Sequence, residues 1–237
     1  MKTTYQKKRI YEAVLDEHLR ENRQMAFLTG PRQCGKTTLA KTLSDRYFTW
    51  DDLATRRLVA GDAAGLANAA GLGVASERKT IVALDEIHKF VRWKSFLKGF
   101  FDLYEDRVRL IVTGSARLDI YKRGGDSLMG RYFLYHMHPL GVAELVRPEF
   151  EPTEIHPPLP ISAEDWNALW SHGGFPEPFV RHDARFTHRW RKLRREQLFR
   201  EDLRDLTKIA DVAGIRILSE LLLARAGGQI VTASLAR

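Results

Sequence analysis

Cysteine is almost absent from the sequence, in which Cys34 is the only one among 237 residues. A single thiol excludes an intrachain disulfide framework and a cysteine-rich zinc site. The sequence also lacks any apolar run near the roughly 20 residues that cross a bilayer, and its charged N-terminus does not resemble a secretory signal. We therefore expect a cytoplasmic protein with no membrane segment.

Internal repeats and low-complexity tracts are also absent, and 44% of the residues are hydrophobic and 29% charged. This composition is typical of a folded globular protein rather than a disordered one. The net charge of +8 is compatible with nucleic acid or another polyanion as partner. It does not by itself indicate DNA, because a protein that binds nucleotides also gathers Arg and Lys around phosphates.

Apolar segments alternate with helical segments along the first 147 residues. Residues 8–22 have apolar side chains at helical spacing, which predicts a helix. Near-continuous apolar runs are typical of a parallel sheet that is buried on both faces. The alternation predicts an α/β fold with a mostly parallel sheet. The predicted strands are residues 24–29, 47–51, 80–84, 108–112 and 132–137.

Five prolines within residues 147–161 mark a linker. Residues beyond it follow a helical pattern, so we expect a small helical, lid-like domain after the α/β domain. The sequence stops where another helix is starting, which predicts a fragment of a longer protein. The predicted boundaries are 1–147 for the α/β domain, 148–163 for the linker and 164–228 for the helical domain.

Residues 30–37 (GPRQCGKT) match the pattern G-x-x-x-x-G-K-[ST] between an apolar strand and a helix. Gly30 and Gly35 allow backbone angles that direct N–H groups at phosphates, and the helix N-terminus adds its positive end. We expect Lys36 to reach the β- and γ-phosphates and Thr37 to place its hydroxyl on Mg²⁺. The predicted nucleotide-binding residues of this motif are Gly30, Pro31, Arg32, Gln33, Cys34, Gly35, Lys36, Thr37 and Thr38.

Two adjacent carboxylates, Asp85 and Glu86, end the apolar strand 80–84. In a phosphate-binding α/β fold a carboxylate at such a strand end holds the Mg²⁺ shell, the role predicted for Asp85. Glu86 is suited to orient and deprotonate an attacking water. Because a hydrolase needs such a base and a small-molecule kinase excludes water, Glu86 favours hydrolysis.

Thr113, Gly114 and Ser115 follow the strand 108–112. Ser115 is predicted to sense the γ-phosphate or to position the water, and it also suits the N-cap of a following helix. A GTPase is the obvious rival, but the nearest match to its guanine-selecting N/T-K-x-D pattern begins at Thr207 and is one residue too long. ATP is therefore the favoured nucleotide.

Five segments occur in order along the chain: GPRQCGKTTLAKTL, TIVALDEIHK, LIVTGSARL, LMGRYFLYHMHPLGVAEL and HGGFPEP. Together they resemble the prokaryotic AAA+-superfamily ATPases that carry an uncharacterised domain after the ATPase module. The resemblance implies a P-loop NTPase three-layer sandwich in which the strand 108–112 lies between the strands 24–29 and 80–84. Full-length relatives continue into a winged-helix region and a restriction-endonuclease-like domain, so residues 229–237 are expected to begin a truncated winged helix.

The resemblance also implies roles for residues outside the two motifs. Arg131 matches the family's Arg that follows the sensor strand, here the strand 108–112, which implies an arginine finger that stabilises phosphoryl charge. A surface salt bridge is the alternative, and Arg117 is a second candidate. Pro176, in GGFPEP, resembles a proline that packs near the nucleotide base in some signalling ATPases. A plain interdomain turn explains that segment equally well.

Residues 185–204 form a basic helical segment with Trp190 and Phe199 interleaved. It suits a nucleic-acid backbone, although a solvated helix face with its aromatic residues turned to the core is the alternative. The interpretation of the whole sequence is a molecular switch that binds and hydrolyses Mg-ATP, with self-association or a partner protein raising turnover. The other hypothesis is a nucleotide-dependent DNA-binding or protein-interaction module with little turnover.

Overall fold

The computed structural model describes residues 8–73, 78–114, 128–147, 149, 157–199 and 212–231. Two compact units are present, Met1–Ala184 and Arg185–Arg237. The range 164–228 includes residues of both units, so the domain boundaries above stay a prediction. The described elements are α1 (Ile10–Glu21), β1 (Met25–Thr29), α2 (Lys36–Leu43), β2 (Arg46–Thr49), α3 (Leu53–Gly61), α4 (Ala63–Ala69), β3 (Thr80–Asp85), α5 (Trp93–Tyr104), β4 (Val108–Thr113), β5 (Tyr132–His136), α6 (Val142–Val146), α7 (Ala163–His172), α8 (Pro176–Arg181), α9 (Ala184–Gln197) and α10 (Val212–Ala224).

The strands of the described residues form one parallel sheet in the order β2-β3-β4-β1-β5. β4 lies between β1 and β3, so the strand order implied by the family resemblance is confirmed. Because the strands are parallel, all of them start at one edge of the sheet and end at the other. We call these the amino edge, at Met25, Thr80, Val108 and Tyr132, and the carboxyl edge, at Thr29, Asp85, Thr113 and His136.

Alternate residues of the central strands face opposite sides of the sheet, as the period of two requires. Phe27, Leu84 and Val112 pack into a large core with side chains of α3, α4 and α5. Ala83 and Ile111 face the other side, where α1 and α2 cover the sheet. All five residues of β1 are buried, which explains why the strand carries no polar alternation. The packing of these side chains in the core therefore determines which residues of each strand lie at the carboxyl edge.

The chain after β5 is tied to α7 and α8. Leu140, Ala168 and Phe179 form a buried cluster, and the Leu140 N–H donates to the Gly174 carbonyl over 2.7 Å. A Cβ on Gly174 would overlap the Leu140 carbonyl, so this close approach requires glycine. The contact fixes the start of α8, and with it Pro176.

Candidate functional site

The segment 30–37 turns from β1 into α2 at the carboxyl edge, and we call it the glycine loop. Gly30 has φ of 144° and Gly35 has φ of 104°, both in the region that favours glycine. A Cβ on Gly30 would overlap the Met137 carbonyl, so the loop passes against the end of β5. Gly35 is the N-cap of α2 and provides no side-chain cap. Free N–H groups at a helix start attract anions.

Lys36 points into the glycine loop. Its ammonium donates to the carbonyl oxygens of Gly30 over 2.9 Å and Pro31 over 2.8 Å, and the residue is only 7% exposed. A buried ammonium needs partners of opposite polarity, because desolvation otherwise disfavours the charged form. These two carbonyls hold the charge inside the loop, where phosphate oxygens would be stronger acceptors.

Three hydroxyl groups surround the Asp85 carboxylate at the end of β3. Thr37 donates to Oδ2 over 2.9 Å, Tyr47 donates to the same oxygen over 2.5 Å, and Thr113 donates to Oδ1. Asp85 is 4% exposed, so these donors replace the water that a carboxylate otherwise binds. Burial raises the pKa of Tyr47, and its hydrogen bond to Asp85 raises it further.

The oxygen donors at this point suit a magnesium ion. The Thr37 hydroxyl and Asp85 Oδ2 lie 2.9 Å apart, and both are hard oxygen ligands of the kind that Mg²⁺ prefers. Within the described ranges no group of three His, Cys, Asp or Glu residues is arranged to hold a metal. Mg²⁺ typically uses one or two protein oxygens together with phosphates and water rather than a protein cage, so Thr37 and Asp85 are the residues that would hold it.

Glu86 follows Asp85 and begins a short 3-10 turn, Ile87–Lys89, with φ of 57°. Its carboxylate lies 3.3 Å from the Lys89 ammonium and remains partly exposed beside the carboxyl edge. The same ammonium contacts Asp51 at 2.7 Å. Burial lowers the pKa of Lys89, but Asp51 and Glu86 outweigh it, so the pKa is raised overall. Glu86 is therefore held by a lysine that remains charged.

A cavity of about 390 Å³ lies beside the glycine loop. Its size falls within the range of small-molecule sites. Pro176 and Thr38, both predicted from the sequence, line it, together with apolar side chains of α2 and α8. The lining residues are Lys8, Arg9, Glu12, Gly35, Thr38, Leu39, Thr42, Leu140, Pro176 and Val180.

Arg9, which sequence reasoning missed, holds the wall of this cavity. Its guanidinium donates to the Cys34 carbonyl over 2.7 Å and to the His138 carbonyl over 2.7 Å. It also binds both carboxylate oxygens of Glu144, over 2.6 and 3.1 Å. No local pattern signals this residue, because its partners lie far along the chain. The Arg9–Glu144 pair connects the N-terminal segment, the glycine loop and α6.

Arg131 lies apart from these groups, at the amino edge. It precedes β5 and forms a two-point ion pair with Asp102, with distances of 2.6 and 3.1 Å. The five-residue strand β1 alone spans about 16 Å, so Arg131 is not near Lys36 of its own chain. The pair also holds the pKa of Asp102 below its usual value, first through the hydrogen bond from Arg131. Ser115 and Arg117 lie outside the described residues.

Within the described residues, the basic segment forms α9 as far as Gln197. Trp190 and Phe199 are buried, whereas Arg189, Lys192 and Arg195 are exposed. The aromatic side chains are therefore turned away from solvent, and the basic side chains form an exposed face. This arrangement matches the alternative of a solvated helix face, and the exposed charges remain accessible to a polyanion.

The parallel sheet, its strand order and the glycine loop between β1 and α2 define an α/β fold of the P-loop NTPase type. Residues 22–146 match the AAA domain family, which is more than half of the chain. The chain therefore belongs to this family and is a nucleotide-binding module. No curated protein matches the chain.

Several solved structures are similar in fold. They include PCH-2 of C. elegans (16% identity, TM-score 0.39, covering 54% of this chain and 41% of that one). ORC1 of Aeropyrum pernix, solved in complex with DNA, has 18% identity and a TM-score of 0.39, covering 57% of this chain and 45% of that one. AMPPCP-bound DnaA from Aquifex aeolicus has 16% identity and a TM-score of 0.44, covering 88% of this chain and 67% of that one. The chain thus spans less than half the length of the first two.

Within the part of the chain that the structure describes, no helix is long and apolar enough to cross a membrane.

Proposed function

We propose that this chain binds Mg-ATP, hydrolyses it to ADP and phosphate, and uses the bound state as a conformational switch. The observation that carries the proposal is the meeting of Lys36, Thr37, Asp85 and Glu86 at the carboxyl edge. Membership of the AAA domain family supports nucleotide binding. Hydrolysis goes beyond that membership and is part of this proposal. The single cysteine is compatible with the reducing cytoplasm, where we place the protein.

In the bound state, Lys36 exchanges the Gly30 and Pro31 carbonyls for oxygens of the β- and γ-phosphates. The N–H groups of the glycine loop donate to the remaining phosphate oxygens. Thr37 and Asp85 hold Mg²⁺, which when bound neutralises charge on the transferring phosphoryl group. The nucleotide base enters the cavity beside the loop, where Pro176 contacts it.

Hydrolysis uses Glu86 as the base. Its carboxylate accepts a proton from water while the water oxygen forms a bond to the γ-phosphorus. The bond from that phosphorus to the β,γ-bridging oxygen breaks, and ADP leaves. Glu86 must first exchange its contact with Lys89 for the water, which predicts slow basal turnover. Ser115 is the proposed sensor of the γ-phosphate.

Arg131 is proposed as an arginine finger that acts on a neighbouring copy, because it lies a strand length from its own glycine loop. Arg131→Ala and Glu86→Gln chains should each be inactive alone. Mixed together, they form interfaces that combine the intact Glu86 of one copy with the intact Arg131 of the other. Recovery of turnover on mixing supports the role, and an active Arg131→Ala chain removes it.

The test of the main proposal is Mg-ATP turnover of the parent chain beside Glu86→Gln, with nucleotide binding followed in both. We expect the variant to bind normally and to lose about 10²–10⁴ in turnover. Glu105→Gln, the same chemical change at the amino edge, is the matched control and should stay active. If parent and variant bind but neither turns over, a switch without hydrolysis is the better description. If neither binds nucleotide, the proposal is wrong.

DNA is a second candidate partner, favoured by the exposed basic face of α9. A phosphate-binding helix gives an affinity that falls steeply as salt rises. We expect simultaneous neutralisation of Arg189, Lys192 and Arg195, the exposed charges named above, to lower both the affinity and its salt dependence. An unchanged affinity of this triple variant for duplex DNA removes the candidate.

A further inference from the structure

Tyr47 reaches the proposed magnesium site from the neighbouring strand. β2 and β3 pair in parallel, with Tyr47 opposite Ala83 and Thr49 opposite Asp85. Side chains two residues apart on a strand point to the same face, so Tyr47 shares the face of Asp85 and lies behind it along the sheet. A tyrosine is long enough to span that step, and its hydroxyl donates to Asp85 Oδ2 over 2.5 Å.

The three hydroxyl groups that donate to Asp85 have different roles in the proposed function. Thr37 turns to the metal, and Thr113 belongs to β4 and holds only Oδ1. Tyr47 therefore remains as the donor that fixes Oδ2 from outside the metal shell. A carboxylate held at both oxygens has one orientation, whereas a carboxylate held at one oxygen rotates about its terminal bond.

The Tyr47 ring is itself held against the helix that follows the glycine loop. The Lys41 ammonium of α2 lies 4.6 Å from the ring centroid, within the range of a cation–π contact. The ring also packs on a buried cluster that includes Ala40 of α2 and Ala83 of β3. It therefore contacts both elements that carry the proposed metal ligands, Thr37 and Asp85.

We propose that Tyr47 is a positioning residue for the magnesium ion that accompanies the nucleotide. Its hydroxyl fixes the orientation of the Asp85 carboxylate relative to Thr37, so that their oxygens are directed to the same point. This role rests on the proposed function, because it presumes that Mg²⁺ binds there with ATP. Partners that orient metal ligands in this way typically change metal affinity about 10–100-fold when removed.

The test uses a fluorescent, non-hydrolysable ATP analogue whose affinity is measured with EDTA and again with Mg²⁺. The ratio of the two affinities reports the coupling between metal and nucleotide, independently of turnover. Tyr47→Phe keeps the ring and removes only the hydroxyl, so its affinity in EDTA should equal that of the parent. Its Mg²⁺-dependent gain should be smaller by about tenfold.

Tyr135→Phe is the matched control. It removes a part-buried tyrosine hydroxyl that bonds to His18 Nδ1 over 3.0 Å, away from Asp85, so both affinities should match the parent. The inference is overturned if Tyr47→Phe retains the full Mg²⁺-dependent gain. It is also overturned if Tyr47→Phe weakens binding equally in EDTA and in Mg²⁺, since that is a structural effect. A parent that binds the analogue with no gain from Mg²⁺ overturns the magnesium role of Asp85 as well.

Discussion

Charged side chains differ in their burial between the two edges of the sheet. At the carboxyl edge the charged groups of Lys36, Asp85 and Glu144 are buried and each has several polar partners, although the Lys89 pairs with Asp51 and Glu86 are partly open to solvent. At the amino edge the pairs Arg131–Asp102 and Arg23–Glu105 are partly open to solvent. The same parallel strands end at both edges, so the difference arises from the segments that adjoin the strands. At the carboxyl edge the glycine loop and the start of α2 surround Lys36 and Asp85.

This contrast has an energetic meaning. An exposed ion pair contributes about 0–1 kcal/mol, because water and salt screen it. Removing one partner of a buried pair leaves an uncompensated charge and costs about 3–5 kcal/mol. Substitutions of the buried charges at the carboxyl edge should therefore be costly, and chemically equivalent substitutions at the amino edge should be mild.

The largest effect is expected for Lys36→Ala. Each hydrogen bond from a charged donor contributes about 1.5–3 kcal/mol, so losing two phosphate contacts should weaken nucleotide binding about 10²-fold or more. Lys98→Ala removes an exposed lysine of α5 and should leave the affinity unchanged. Both affinities are measured by titration with a fluorescent ATP analogue. Equal affinities for Lys36→Ala and the parent would break the contrast between the edges.

A second pair of variants tests the backbone at the two edges. Gly30 and Gly130 both have positive φ, 144° and 74°, but a Cβ meets the Met137 carbonyl only at Gly30 and nothing within 4 Å at Gly130. Gly130→Ala should therefore cost only the left-handed strain of about 1–2 kcal/mol. Gly30→Ala adds a collision with backbone and should cost about 3 kcal/mol or more. Urea unfolding measures both free energies, and equal losses would show that the collision is relieved.

The sequence predicts the parts of this molecule that depend on local pattern. β3 comprises residues 80–85, and residues 80–84 were predicted. The prediction was possible because these residues are almost all apolar and no other element accommodates them. The glycine loop is recognisable because its chemistry is contained in eight consecutive residues. The prediction that β4 lies between β1 and β3, which the structure confirms, depended on the family resemblance, because apolar runs do not specify strand order.

Contacts between distant segments are what the sequence does not show. Tyr47 reaches Asp85 only through the register of β2 on β3, and a tyrosine in an apolar run reads as a core residue. Arg9 and Glu144 are separated by 135 positions. Glu144 lies in the segment LMGRYFLYHMHPLGVAEL, but nothing in that segment points to Arg9 as its partner. The location of Arg131 at the amino edge likewise follows from the strand direction, which a motif comparison does not include.

The same chemical change, Glu to Gln, can be made in a buried ion pair and in an exposed ion pair. Glu144→Gln removes the charge that holds Arg9, and we expect the free energy of unfolding to fall by about 3 kcal/mol. Glu105→Gln removes the charge opposite Arg23, where the pair measures the same 2.6 Å, and should cost about 0–1 kcal/mol. Urea unfolding at low and at high salt distinguishes the two variants further, because salt screens only the exposed pair. Salt should reduce the effect of Glu105→Gln and leave that of Glu144→Gln almost unchanged, and equal costs would contradict the role of burial.

The smallest effect is expected at Asp102, and it should depend on pH. Arg131 lowers the pKa of Asp102 in the folded chain, so the contribution of this carboxylate to stability is present above its unfolded pKa of about 3.9. It is lost as the pH falls through the lower folded value, because protonation removes the pair. The stability difference between the parent and Asp102→Asn should therefore be small at pH 7 and should vanish under strong acid. A large difference at pH 7 that persists in acid would show that Asp102 supports the amino edge through packing rather than charge, and the two edges would then differ less than their exposure implies.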